Sequence, residues 1–179
     1  MKTVTLFRHA KSGEKDNPRI DDFDRPLSDR GLKAAPKMGA AMRDRHLRPD
    51  LILCSPSVRT RQTLTIASAE AWDDAPKIRF DKMLYEASAE MLLDVLKGVP
   101  KTVGHVMIIG HNPGLQDLAV TLVVSGRERQ QLKDKLPTAS VVSIEFDEER
   151  WKDLQPATGR VVLSLSPKTL PPAGQGQKQ

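Results

Sequence analysis

Residues 1–10 read MKTVTLFRHA, and the run TVTLF at 3–7 decides how the rest of the chain is parsed. It is a short apolar segment that reads as a buried strand, and two chemically loaded residues, Arg8 and His9, follow it directly. The same pattern recurs downstream. DLILCS at 50–55, KIRF at 77–80 and HVMIIG at 105–110 read as further strands. Between them lie helical stretches at 28–46, 57–72, 88–98 and 113–126. Ser28 and Ser57 are suited to cap the first two, glycine ends the third, and Pro113 sits in the first turn of the fourth. Pro36 should kink or delay the first helix. Strands alternating with helices imply an α/β fold, a three-layer α/β/α sandwich around a mainly parallel sheet.

The pattern changes towards the end. ASVVSIEF at 139–146 and GRVVLSLS at 159–166 are β-rich runs with a polar connection, and they read as a hairpin-like pair added to the sheet near the C-terminus. The charged segment 126–137 reads as a short helix or a flexible lid. One domain is expected over 1–168, followed by a disordered tail over 169–179 that lacks an apolar period.

The bulk properties narrow the function classes. The chain has 179 residues and a net charge of +5, with its basic residues dispersed. That suits an anionic substrate, whereas aromatic residues at 4% give little basis for stacking on nucleic acid, so no nucleic-acid partner is expected. Cys54 is the sole cysteine, so an intrachain disulfide is impossible, and its apolar surroundings suggest an inert thiol. No stretch has the length of a membrane span and no signal-peptide pattern opens the sequence, so a cytoplasmic protein without membrane association is expected. No histidine pairing or cysteine cluster suggests a metal site, and no cofactor is called for.

In an open α/β sheet, ligands bind beyond the carboxyl ends of the strands. Those positions hold Arg8 and His9, then Ser55, Arg59 and Arg61, then Tyr85 and Glu86, then His111 and Asn112. A neutral imidazole is a competent nucleophile towards phosphorus near neutral pH, and arginine forks bind phosphate oxygens in pairs. Phosphoryl transfer needs mainly positioning and charge neutralisation, which this set can supply without metal. Arg59 and Arg61 are two apart on a helix and point differently, so only one should enter the site. Ser28, Ser55 and Ser57 read as caps or turn residues, and no GxSxG elbow is present. His46 and His105 read as structural.

Four blocks carry a resemblance. LFRHAKSG resembles the RHG motif of the histidine phosphatase (phosphoglycerate mutase-like) superfamily, with Ala10 in place of its usual glycine. RPLSDRG, CSPSVRTRQT and GHNPGL resemble that family's later blocks in order and spacing, with Thr60 replacing a common alanine. The short chain and LYEAS after the second block make it similar to the SixA-type phosphohistidine phosphatase branch. The resemblance implies that His9 is the nucleophile, that Arg8 and Arg59 clamp phosphate, and that His111 contacts the transferring group. Glu86 lies near where many members place a proton donor. The implied partner is a phosphohistidine-bearing protein. The alternatives are a small phosphorylated molecule as substrate, or a catalytically silent phosphate-binding module; the oligomeric state is left open.

Overall fold

The computed structural model describes residues 1–171. Six strands form one sheet: β1 (Lys2–Arg8), β2 (Leu51–Cys54), β3 (Lys77–Phe80), β4 (His105–Gly110), β5 (Val141–Phe146) and β6 (Arg160–Leu165). Their order is β3-β2-β4-β1-β5-β6. The first four run parallel, β5 is antiparallel to β1, and β6 is antiparallel to β5. The expected terminal β pair is therefore an antiparallel extension of a parallel sheet. Five helices cover it: α1 (Asp29–Asp44), α2 (Val58–Ala71), α3 (Ala89–Lys97), α4 (Gly114–Leu122) and α5 (Arg127–Asp134).

The apolar runs are continuous because the central strands are buried on both faces. Alternate side chains go to opposite cores. Val4, Leu6, Leu51, Leu53, Val106 and Ile108 face one cluster, and Phe7, Ile52, Cys54, Met107 and Ile109 face the other. Leu92, Leu96, Leu115, Leu118 and Leu122 from α3 and α4 complete the first core. Ala35, Met38, Met42, Leu64 and Ala67 from α1 and α2 complete the second. This is the expected three-layer arrangement.

Differences from expectation are local. Helix α1 forms from Asp29 and runs through Pro36 without interruption. Proline at 36 removes the hydrogen bond to the carbonyl of Leu32, a residue on the exposed face of the helix where water can replace it. Helix α4 stops at Leu122 rather than near Gly126, because Val123 bridges to Gly159 and the Val124 amide donates to the Gly159 carbonyl at 2.9 Å. The charged segment after it is a helix, α5, docked on α4 through buried Leu132. In the expected tail, Leu170 packs against the second core, and residues 172–179 lie outside the described residues. Ser28 and Ser57 cap α1 and α2 as expected.

The close packing of α1 on α2 depends on Gly39, where an added methyl would collide with the Ala67 carbonyl oxygen. A backbone atom cannot swing aside, so Gly39→Ala should cost about 1–3 kcal/mol. Thermal melting should show a fall of several degrees, while Gly98→Ala, where the nearest atom is at 3.5 Å, should melt close to wild type. Equal melting of the two variants would contradict this packing.

Candidate active site

Strands β1, β4 and β2 end side by side, and the residues that follow them line one cavity of ≈ 920 Å³. Arg8, His9, Arg59, Tyr85, Glu86 and His111 are in its walls. The expected set is thus gathered in one place, although it comes from segments far apart in sequence.

His9 is fixed through its backbone. Its amide donates to the Gly110 carbonyl at 3.1 Å, and its carbonyl accepts from the Ala139 amide at 3.0 Å. Its ring is fixed too, because Nδ1 lies 2.7 Å from the Ala10 carbonyl oxygen. A carbonyl can only accept, so Nδ1 carries the proton and Nε2 keeps its lone pair. Burial pushes the His9 pKa down to about 4; the Ala10 hydrogen bond opposes this, and the charges of Arg59, Arg8 and Arg25 reinforce it. His9 is therefore an uncharged, oriented imidazole at neutral pH.

His111 has its ring centroid 5.3 Å from that of His9. Its Nε2 is hydrogen-bonded to Ser55 Oγ at 2.8 Å, while its Nδ1 is buried without a partner among the described residues. Burial and then Arg59 push its pKa down to about 3. The arginines share a pattern. Arg8 Nη1 donates to the Leu136 carbonyl at 2.9 Å, and Arg59 Nη1 donates to the Asp22 carbonyl at 2.7 Å. In both, Nε is buried and has no partner among the described residues. A buried unpaired donor costs about 1–3 kcal/mol, more when charged, so these groups favour a ligand rich in acceptor oxygens and negative charge.

Glu86 lies at the exposed rim of the cavity, at a backbone φ of 56°. Arg61 stays outside, with Nε donating to the Pro56 carbonyl at 2.8 Å and its guanidinium stacked 4.3 Å over Phe80. Cys54 is buried, and burial pushes its thiol up to about 12, which removes it as a nucleophile. His105 hydrogen-bonds Thr5 Oγ1 at 2.7 Å, away from the cavity. Among the described residues, no group of His, Cys, Asp and Glu is placed to hold a metal ion, and no helix is long and apolar enough to cross a membrane.

Three participants were not assigned from sequence. Ser55 holds His111; its place just after β2 was a usable signal. The segment 126–137 ends in a supporting role, because the Leu136 carbonyl accepts from both Arg8 and Asn112. Asp22 binds Arg59, Arg25 and Tyr85 from a single 3-10 turn, Asp22–Asp24, in the loop before α1. Nothing in its local sequence marks it.

Comparison with known proteins fits this geometry. The sequence model described as the Histidine phosphatase superfamily (branch 1) matches residues 4–92. An uncharacterized protein of Mycobacterium tuberculosis (strain ATCC 25618 / H37Rv), Rv1276c, is 32% identical over 160 residues, covering 87% of this chain and 96% of the relative. The solved structure of a candidate phosphohistidine phosphatase SixA from Nakamurella multipartitia superposes with a TM-score of 0.80 at 27% identity, covering 93% of this chain and 96% of the other. A second candidate phosphohistidine phosphatase SixA, from Agrobacterium tumefaciens, gives 0.77 at 29% identity, covering 92% and 97%.

The depressed pKa of His9 has a measurable sign. An unfolded histidine takes up a proton near pH 6.5, the folded one only near 4. Stability from the neutral buried ring is therefore complete above about pH 6.5 and is lost as pH falls towards 4. The His9 imidazole resonances should titrate near pH 4, and the denaturant midpoint should drop between pH 6.5 and 4. A His9 titration midpoint near 6.5 would contradict this account.

Proposed function

This chain belongs to the histidine phosphatase superfamily, branch 1, and on that footing we propose that it is a metal-independent phosphatase that removes phosphate from phosphohistidine on proteins through a phospho-His9 intermediate. The observation that carries the reading is the set of buried nitrogens without a partner among the described residues (the Arg8 Nε and Arg59 Nε donors and His111 Nδ1) on residues lining the cavity that holds a neutral His9.

The reaction follows in two displacements. The lone pair of His9 Nε2 attacks phosphorus while Arg8, Arg59 and His111 take the non-bridging oxygens. The bond from phosphorus to the leaving atom breaks, and that atom keeps the electron pair and takes a proton from solvent water through the open mouth of the cavity. Water then attacks the phosphorus of phospho-His9, the P–N bond breaks, orthophosphate leaves and the lone pair returns to Nε2. Proton loss from the water goes to solvent or to the departing phosphate. Throughout, the Ala10 carbonyl holds Nδ1–H, so one tautomer serves both steps.

Two features support a protein-borne phosphohistidine. The rim residues Lys11, Glu14, Lys15 and Glu86 are exposed, so the mouth is open to a bulky partner. The SixA neighbours from Nakamurella multipartitia and Agrobacterium tumefaciens carry that candidate activity in their names. A phosphoramidate nitrogen leaves readily once protonated, so it makes little demand on a dedicated acid. Hydrolysis of a small phosphate ester is the second reading, and Glu86 on the same cavity is the observation that favours it, since an alkoxide leaving group needs a proton donor.

The test is phosphate release from a phosphohistidine-bearing protein and from p-nitrophenyl phosphate, in EDTA throughout. His9→Ala should abolish turnover, a loss of at least about 10³-fold. Glu86→Gln should leave phosphohistidine hydrolysis within about threefold of wild type. Near-normal activity in His9→Ala would end the mechanism. Release chiefly from esters and collapse in Glu86→Gln would make this an ester phosphatase with Glu86 as its acid.

A further inference from the structure

We infer that Asp22 is a positioning residue for the phosphate clamp: it holds the Arg59 guanidinium by its end so that the side bearing Nε is presented to the phosphoryl group. The inference rests on the phosphatase reading for its function, but its geometry stands independently.

Asp22 supplies two acceptors to one guanidinium. Its backbone carbonyl accepts from Arg59 Nη1 at 2.7 Å, and its Oδ2 accepts from Nη2 at 3.1 Å. Two acceptors from one residue fix the plane of a rigid five-donor fork. They occupy the end between the two terminal nitrogens and leave the edge formed by Nε and the second hydrogen of Nη2. That Nε is buried and unpartnered. Arg8 is tethered in the same sense by the Leu136 carbonyl, with its Nε also unpartnered. Arg8 has one tether, a backbone carbonyl, whereas Arg59 has two, one of them a side chain.

The Asp22 carboxylate is itself held from two further directions. Tyr85 Oη donates to Oδ2 at 2.6 Å, and Arg25 binds Oδ1 through Nε at 2.9 Å and Nη2 at 2.8 Å. Arg25 is fixed in turn by Ser12 Oγ at 2.8 Å. Tyr85 stands edge-on to the His111 ring, with centroids 5.5 Å apart. One half-exposed carboxylate therefore joins the loop before α1, the start of α2 and the turn after β3. The Tyr85 hydrogen bond first, then Arg25 and Arg59, hold its carboxyl well below the usual carboxylate range, although partial burial opposes them. It stays ionised and cannot be the proton donor of the reaction. Core stabilisation is a poor explanation for a side chain that is 50% exposed. Its contacts converge on a clamp arginine and on the aromatic neighbour of His111.

A double-mutant cycle separates positioning from general damage. Orthophosphate affinity is measured by calorimetry for wild type, Asp22→Ala, Arg59→Ala and the double variant, beside kcat and KM for p-nitrophenyl phosphate and thermal melting. Asp24, exposed in the same turn and outside the cavity wall, provides the control Asp24→Ala. Asp22→Ala should weaken orthophosphate binding and raise KM by about tenfold or more, with melting close to wild type. In the Arg59→Ala background the same change should alter orthophosphate affinity by less than about threefold, because the group it positions is gone. Asp24→Ala should bind and turn over as wild type. Equal losses from Asp22→Ala in both backgrounds, or unchanged or tighter binding in the single variant, would overturn the inference, as would a loss in Asp24→Ala equal to that in Asp22→Ala. If wild type binds orthophosphate and shows this coupling yet releases no phosphate from either substrate, the phosphatase reading fails while the positioning role of Asp22 stands.

Discussion

A neutral imidazole has to be kept among guanidinium groups, and the rest of the site depends on that condition. Arg8, Arg25 and Arg59 all act to keep His9 uncharged, and burial acts in the same direction more strongly. The result is an imidazole whose Nε2 lone pair is available wherever the protein is folded at ordinary pH. Water cannot be admitted freely without weakening both the pKa shift and the arginine contacts to an anion. The three-layer fold meets the condition by putting His9 just past the end of β1, between β4 and β5, where Gly110 of β4 and Ala139 just ahead of β5 satisfy its backbone.

The arginines pose a separate problem, since a long flexible side chain gains little by being near a phosphate unless its fork is already aimed. Arg8 is tethered through Nη1 and Arg59 through Nη1 and Nη2, and in both Nε has no partner among the described residues. The tethers come from loops: the Leu136 carbonyl after α5 and Asp22 before α1. Strand ends therefore bring the reactive groups, and the connections orient them. This explains why the charged segment 126–137 is a docked helix. It delivers a carbonyl to Arg8 and Asn112 at a fixed position.

Most of the fold was legible because its signals are local. Buried strands such as LILC and VMIIG are continuous apolar runs, and serines cap their helices within three residues. Pro36 misled because its cost depends on whether water can reach the freed carbonyl, which is a tertiary fact. The end of α4 was misjudged because Val123 and Val124 fit a helix or a strand equally well until Gly159 pairs with them. The site divides along the same line. Arg8, His9, Arg59 and His111 stand next to strand ends or early in a helix, where a sequence rule can find them. Asp22 reaches Arg59 across 37 residues and Tyr85 across 63, and no spacing rule foresees either contact.

The placement of Asp22 also bears on how the proposed phosphate site can contain a carboxylate. A negative charge bonded directly to phosphate would oppose binding, whereas the Asp22 carboxylate is bonded to Arg59 Nη2, where it orients and polarises the fork, and Arg59 Nε has no partner among the described residues. Asp22 itself lines the cavity, and Arg25 and Tyr85 bind its carboxylate, so its charge is partly compensated within the site. The wall that results is rigid at the reactive centre and exposed at its rim, where Lys11, Lys15 and Glu86 stand. On the proposed reading, the interior recognises the phosphoryl oxygens, and the exposed rim imposes few demands on what brings them.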